Sequence, residues 1–167
     1  LLREHARFDA SRIAEIEREV KHDVVAFTTA VSESIAAAGH AEASRWLHYG
    51  LTSYDVVDTA LALQVKQASA LIAQGLESLR EALKERALEF RHTVHIGRTH
   101  GVHAEPITFG LKLALFYDEA GRNLARLKAA AEEIAVGKIS SAVGNCARVS
   151  PALEERICAR LGLRAAP

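Results

Sequence analysis

The sequence contains no methionine and only two cysteines, Cys146 and Cys158, in 167 residues. Two cysteines are too few for the disulfide framework of a small secreted protein, so we interpret them as free thiols in a reducing compartment, with a disulfide or a nucleophilic role as the alternatives. Because methionine is absent, we expect that position 1 is not a native start and that the chain is an internal piece of a longer polypeptide.

The chain also lacks an excess of charge of either sign, since 21 basic and 21 acidic residues cancel. The sequence has no basic stripe of the kind that would indicate a nucleic-acid partner. No uninterrupted apolar run approaches the ~18 residues that would indicate a membrane span, and the N-terminal residues are too polar for a signal peptide. We therefore expect a soluble, cytoplasmic protein without a nucleic-acid or membrane partner.

Apolar residues recur at intervals of three or four in several stretches, which is typical of amphipathic helices. The spacing predicts helices from Ser11 to Val20, from Asp23 as the cap to Gly39, from about Asp55 to Arg91, from Thr108 to Ile134, and from the Ser150-Pro151 pair to just before Gly162. The third and fourth would be ~55 Å and ~43 Å long at 1.5 Å per residue.

Helices of that length can bury their apolar stripes only against other long helices, from missing sequence or from other subunits. No alternation of period two competes with this pattern, so the sequence predicts an all-α fold and, as a hypothesis, a homo-oligomeric helical bundle. We divide the chain into an N-terminal helical region that runs into the first long helix (1–92) and a region with a central loop, the second long helix and the start of further helices (93–167).

Polar residues concentrate in short segments beside these helices. The segment Gly97–Pro106 carries imidazole, guanidinium, hydroxyl and carboxylate groups and is predicted to be an active-site turn or ordered loop. Lys21 and His22 lie at a helix junction, where an anion could bind, although a solvated linker is the alternative. The segment Gly137–Gly144 is similar to an anion-holding turn but lacks the spacing of a P-loop.

Thr52 and Ser53 immediately precede the first long helix. Thr52-x-x-Asp55 matches a capping box, in which a hydroxyl and a carboxylate satisfy free N–H groups at the helix start. The same hydroxyls and N–H groups would also hold a carboxylate or phosphate, and this use does not exclude capping.

The central histidines, His95, His100 and His103, match neither a two-histidine helical face nor a zinc pattern, so no metal site is predicted. No serine lies in a nucleophile-elbow sequence. Proton transfer suits these imidazoles better, because an unperturbed histidine pKa of ~6.5 permits both protonation states near neutrality. Cationic, hydroxyl-rich segments with histidines indicate a polyanionic small molecule as ligand.

Three blocks of the sequence resemble, in order, blocks of the adenylosuccinate lyase family within the fumarase/aspartase superfamily. They are Lys21–Phe27, His48–Ala60 and Gly97–Pro106, and the similarity continues through Thr108–Leu115 and Gly137–Ser140. Sister enzymes usually have Leu-Gln where this chain has Gly101-Val102. The ending His103-Ala104-Glu105-Pro106 favours the adenylosuccinate branch.

This resemblance implies a homotetramer built on a central bundle of long helices. It also implies β-elimination of fumarate from adenylosuccinate, giving AMP, and from SAICAR, giving AICAR, without a metal or organic cofactor. In this reaction a base removes a proton beside a carboxylate, and an acid protonates the departing nitrogen.

Residue by residue, the resemblance implies that His100 is the general acid, positioned by Arg98 and Thr99. The other matching residues would serve as substrate contacts. They are Lys21, His22 and Asp23, with His22 also a candidate catalytic residue; Thr52 and Ser53, which would grip a carboxylate or phosphate; His48, which could act from another subunit; and Lys138 and Ser140.

The family's serine-bearing mobile loop, which supplies the general base, is absent from these residues. We therefore expect the 167-residue chain alone to be inactive. Two alternatives remain: a non-catalytic helical scaffold, and a sister lyase that acts on another fumarate adduct.

Overall fold

The computed structural model describes residues 2–167, which are mainly helical. The helices are α1 (Leu2–His5), α2 (Ala10–Val20), α3 (Asp23–Ala37), α4 (Ser53–Glu89), α5 (Phe109–Ile134) and α6 (Pro151–Leu161), with a 3-10 helix at Ala41–Trp46. The strands are β1 (Val94–Thr99), β2 (Val102–Thr108), β3 (Val136–Gly137) and β4 (Arg164–Ala165). The predicted all-α class is confirmed, and each predicted helix is found within about two residues of its expected ends.

The chain divides into two compact units. The first comprises residues 2–59, 138–160 and 167, and the second comprises residues 60–137 and 161–166. The division passes through α4.

In the first unit, α2 packs on α3 through Ile16, which lies in a buried cluster with Ala26 and Ala30. The small alanine side chains allow the two helices to approach closely. Asp9 caps α2, since its carboxylate accepts a hydrogen bond from the Ser11 N–H at 2.8 Å. The predicted end of α3 is also found, because Gly39 has φ +83° just beyond the last turn.

The predicted N-cap of α3 was wrong. The cap is His22, whose Nδ1 accepts from the Val25 N–H at 3.4 Å, and Asp23 is the first helical residue. Asp23 instead accepts from the adjacent Val24 N–H at 2.7 Å. A carboxylate in the first turn still interacts favourably with the helix dipole.

In the second unit, α4 and α5 approach each other at Gly110. A Cβ added there would collide with the carbonyl oxygen of Ala87 and lie 2.6 Å from Cα of Arg91. Farther along, the Arg80 guanidinium lies 4.5 Å from the ring centroid of Tyr117 and donates to its hydroxyl at 2.9 Å. Only glycine fits the first contact, so Gly110 determines how closely the two helices approach.

The central segment, predicted as a turn or ordered loop, is an antiparallel hairpin, in which Val94 of β1 pairs with Thr108 of β2 and Thr99 pairs with Val102. The turn lies at the tip of the hairpin, but its two strands were not predicted. A bulge between Ile96 and Arg98 interrupts the pairing. The hairpin leads directly into α5, whose first turn is capped by Thr108 through the Leu111 N–H at 3.1 Å.

Within the described residues, α4 is long and apolar enough to cross a membrane by length and composition alone. This result was not predicted from the sequence, in which no uninterrupted apolar run approaches the ~18 residues of a membrane span. One such helix is weak evidence for a membrane span, because a core helix of a soluble protein passes the same test.

Candidate active site

His100 lies at the tip of the hairpin. His100 and Gly101 form its two-residue turn, with φ +53° and +76°. Two successive positive φ values are typical of the type I′ turn, whose twist matches that of the flanking strands. A histidine in this conformation is uncommon, and the strand pairing on both sides holds it there. The imidazole is therefore presented on a short, well-defined support, exposed in the described chain.

The strands place further polar groups next to this turn. Arg98 lies opposite His103, and its Nη2 is 3.2 Å from His103 Nε2. A cleft of about 380 Å³ lies against the hairpin, and its lining includes Arg98, Thr99, Glu105 and Lys112. The predicted residues Arg98, Thr99 and His100 thus lie side by side in the second unit.

Lys21, His22 and Asp23 form the α2–α3 junction in the first unit. Lys21 has φ +55° and ends α2, with its N–H donating to the Glu17 carbonyl at 2.8 Å. All three side chains are exposed. Nδ1 of His22 lies 3.4 Å from the Val25 backbone nitrogen and 3.3 Å from Oδ1 of Asp23, so this side of the ring faces the start of α3.

His48 and the hydroxyl pair lie in the loop before α4. His48 has φ +61°, and its Nε2 is buried without a hydrogen-bond partner among the described residues. One half of the predicted capping box is present, since Asp55 Oδ2 accepts from the Thr52 N–H at 3.0 Å. In the part of the chain that the structure describes, the hydroxyls of Thr52 and Ser53 make no hydrogen bond, so both can contact a ligand.

The carboxylate of Asp55 joins this loop to Lys138 and Ser140. Asp55 is only 2% exposed, and its Oδ1 accepts from Lys138 Nζ at 2.9 Å and from the Ser140 N–H at 3.2 Å. Burial alone would raise the pKa of Asp55, but the hydrogen bonds from the Thr52 N–H, Lys138 and the Ser140 N–H outweigh it and lower the pKa below 3.8. The carboxylate is therefore ionised at neutral pH and neutralises Lys138 internally.

The interpretation of segment Gly137–Gly144 as an anion-holding turn needs correction. Four of its backbone N–H groups, from Lys138 to Ser141, already donate to side chains of this chain. They donate from Lys138 to Thr59 Oγ1 at 3.1 Å, from Ile139 to Glu154 Oε1 at 2.7 Å, and from Ser140 and Ser141 to the two oxygens of Asp55 at 3.2 Å each. These donors hold the loop in place and are not available to a ligand.

Sequence reasoning missed two of these partners, Thr59 and Glu154, and treated Asp55 only as a cap. Thr59 and Glu154 lie 79 and 15 residues from the backbone groups that they bind, so no local pattern identifies them. The Thr52-x-x-Asp55 spacing was the available signal for Asp55. Across residues 2–167, no group of three or more His, Cys, Asp or Glu side chains is arranged to hold a metal ion.

A family model described as "Lyase" matches residues 1–167. The chain belongs to this lyase family. Two curated relatives of this chain are adenylosuccinate lyases. That of Bacillus subtilis (strain 168) is 55% identical over 167 residues, and that of Staphylococcus saprophyticus subsp. saprophyticus is 51% identical over 166 residues. The alignments cover 100% and 99% of this chain but only 38% and 37% of the relatives, so the chain spans little more than a third of their length.

Solved structures of other enzymes share the fold of this lyase chain. The 3-carboxy-cis,cis-muconate lactonizing enzyme of Pseudomonas putida matches 96% of the chain with a TM-score of 0.87 and 31% identity, over 37% of its own length. The fumarate lyase of Mesorhizobium sp. BNC1 matches 98% of the chain with a TM-score of 0.84 and 32% identity, over 38% of its own length. The long-helix fold of the fumarase/aspartase type is thereby confirmed.

Proposed function

We propose that the complete protein containing this chain is an adenylosuccinate lyase that eliminates fumarate from adenylosuccinate, giving AMP, and from SAICAR, giving AICAR. The observation that carries this proposal is the 51–55% identity to adenylosuccinate lyases over nearly the whole chain. Identity to the sister enzymes of solved structure is lower, at 28–32%. This difference favours the adenylosuccinate branch over another lyase of the superfamily.

In the proposed reaction a C–H bond and a C–N bond break and the C=C bond of fumarate forms. A base from a part of the protein outside this chain takes the proton beside the carboxylate. His100 Nδ1 or Nε2 gives a proton to the departing nitrogen, so that the amine leaves neutral. The exposed position of His100 on a rigid two-residue turn supports this role, because a general acid must reach the leaving group in a fixed geometry.

The anionic groups of the substrate need several contacts. We assign Arg98 and Thr99 to positioning beside His100, and Thr52 and Ser53 to a carboxylate or phosphate, since both hydroxyls lack partners within the described chain. His22, with Lys21 and Asp23, would contact the substrate through its exposed ring, and His48 would offer its unpartnered Nε2. Lys138 and Ser140, which Asp55 joins to the loop that carries Thr52 and Ser53, would be further substrate contacts.

We further propose a homotetramer in the cytoplasm. The long helices of the second unit support oligomerisation, because they leave large apolar side chains exposed. Examples are Leu71 at 69%, Leu88 at 58% and Leu115 at 62% exposure. Scattered exposed apolar residues are ordinary, but a series along two long helices indicates a surface that another helical bundle covers.

Fumarate release by the purified complete protein tests the function, followed at its ultraviolet absorbance with adenylosuccinate or SAICAR as substrate. His100→Asn is the informative variant, because asparagine tolerates positive φ and suits the first position of this turn. We expect kcat to fall roughly 100- to 10,000-fold with an unchanged melting temperature. The control, His92→Asn, changes an exposed histidine outside the hairpin and should retain activity.

Undiminished turnover by His100→Asn would contradict the assignment of the general acid. A wild-type protein that releases no fumarate from either substrate would contradict the proposed function and favour a scaffold or a sister lyase.

A further inference from the structure

Four successive backbone N–H groups, from Lys138 to Ser141, are bound by buried side chains that come from α4 and α6. From α4 come Thr59, 6% exposed, and Asp55, 2% exposed; from α6 comes Glu154, 6% exposed. Thr59 also donates its hydroxyl to the Lys138 carbonyl oxygen at 3.0 Å, so it holds both backbone groups of that residue. Such a loop has little freedom to move, because each of its donors has a fixed acceptor.

Asp55 differs from the other two because it binds two segments of the chain. Its Oδ2 accepts from the Thr52 N–H, beside the candidate hydroxyl pair, and from the Ser141 N–H, while its Oδ1 accepts from the Lys138 ammonium and the Ser140 N–H. A single buried carboxylate therefore fixes the distance between two segments that carry candidate substrate contacts.

We propose that Asp55 is a positioning residue for the lyase reaction. Its carboxylate does not contact the substrate but holds the hydroxyls of Thr52 and Ser53 in register with Lys138 and Ser140. This inference rests on the proposed function. A catalytic site needs its contacts placed to within a fraction of an ångström, and a shift of about 1 Å can cost about 100-fold in rate.

The alternative is that Asp55 contributes only to stability. Asp55→Asn separates the two, because the carboxamide has the same shape but lacks the charge and turns an N–H₂ group towards backbone donors. With the complete protein and adenylosuccinate, we expect kcat/KM to fall about 100-fold, with a KM about tenfold higher. The matched control is Asp58→Asn on the exposed side of the same helix, which should stay within about twofold of wild type.

A double variant tests whether the effect passes through Lys138. If Asp55 acts by orienting Lys138, then Asp55→Asn combined with Lys138→Met should be at most about threefold worse in kcat/KM than the worse single variant. Losses that multiply would overturn the positioning of Lys138 by Asp55, and an Asp55→Asn enzyme whose kcat and KM both stay within about twofold of wild type would overturn the proposal as a whole.

Should Asp55→Asn not be recovered as folded protein, Thr59→Val takes its place. It keeps the side-chain shape but releases the backbone of Lys138, and we expect about a tenfold loss of kcat/KM, mainly through KM. Unchanged kinetics of Thr59→Val would overturn the positioning role. Wild-type protein that releases no fumarate contradicts the proposed function and removes this role with it, whereas active wild type with unaffected variants contradicts the positioning role alone.

Discussion

Lys138 Nζ lies 2.9 Å from Oδ1 of Asp55, although 83 residues separate them along the chain. The Asp55 side chain is fully enclosed, while the side chain of Lys138 is 33% exposed. The pair thus joins a buried anion to a partly solvated cation, and the carboxylate depends on its hydrogen bonds for compensation.

The stability of the protein should therefore depend on pH through Asp55. Its pKa is lower in the folded protein than the ordinary 3.8, so its contribution is present above about pH 4 and is lost as the pH falls through the folded pKa. We expect Asp55→Asn to reduce the free energy of unfolding by about 2–4 kcal/mol at neutral pH. In urea unfolding, this difference should shrink below about pH 4. A difference that stays constant down to about pH 3 would contradict the assignment.

Glu154 should contribute more to the free energy of unfolding than its neighbour Glu155. Its Oε1 accepts from the Ile139 N–H at 2.7 Å in a buried position, whereas Glu155 is exposed. Glu154→Ala leaves a buried N–H without a partner and should cost about 1–3 kcal/mol of unfolding free energy, measured by chemical denaturation. Glu155→Ala should change it by less than about 0.5 kcal/mol. Equal effects of the two variants would show that the Ile139 contact contributes little.

Two glycines in the long helices should respond oppositely to alanine. Gly110→Ala places a methyl group against backbone atoms of Ala87 and Arg91, which cannot move as a side chain would, so we expect a loss of about 3 kcal/mol. A Cβ on Gly75 meets nothing within 4 Å, so Gly75→Ala should stabilise α4 by about 0.5–1 kcal/mol. Thermal unfolding of the complete protein measures both; a Gly110→Ala protein as stable as wild type would contradict the close approach.

The two thiols should differ in reactivity. Burial raises the pKa of Cys158, and the nearby charge of Glu154 raises it further, so the reactive thiolate is rare and inaccessible. We expect a thiol reagent to modify Cys146, which is half-buried, roughly 100-fold faster than Cys158 in the native protein. Peptide mass spectrometry locates the label, and denaturant should remove the difference. Rapid native labelling of Cys158 would contradict its burial.

The long helices were predictable because their signals are local and repeated. A continuous 3.6-residue stripe extends through α4 and α5, and Ser150-Pro151 sets the start of α6 by the chemistry of its own two residues. The candidate residues Arg98, Thr99 and His100 could likewise be selected because unusual polar groups occur next to glycine at the end of a long helix.

The hairpin was missed because a two-stranded ribbon with little burial on either side needs no alternation of polar and apolar residues. The bulge between Ile96 and Arg98 and the proline at position 106 further disrupt any period of two. The buried side chains that bind the backbone of residues 138–141 were missed for another reason. A glutamate on a helix is ordinarily solvated, and nothing in the sequence near Glu154 indicates that it is buried.

The turn at His100 and Gly101 has a fixed length of two residues, because Thr99 and Val102 on either side of it are paired. Inserting one amino acid there would shift one strand against its partner and reverse which side of the ribbon each of its side chains faces. His103 would then no longer lie opposite Arg98. Related proteins that use this histidine in the same way should therefore tolerate substitutions along the strands, but not a change in the length of the bend.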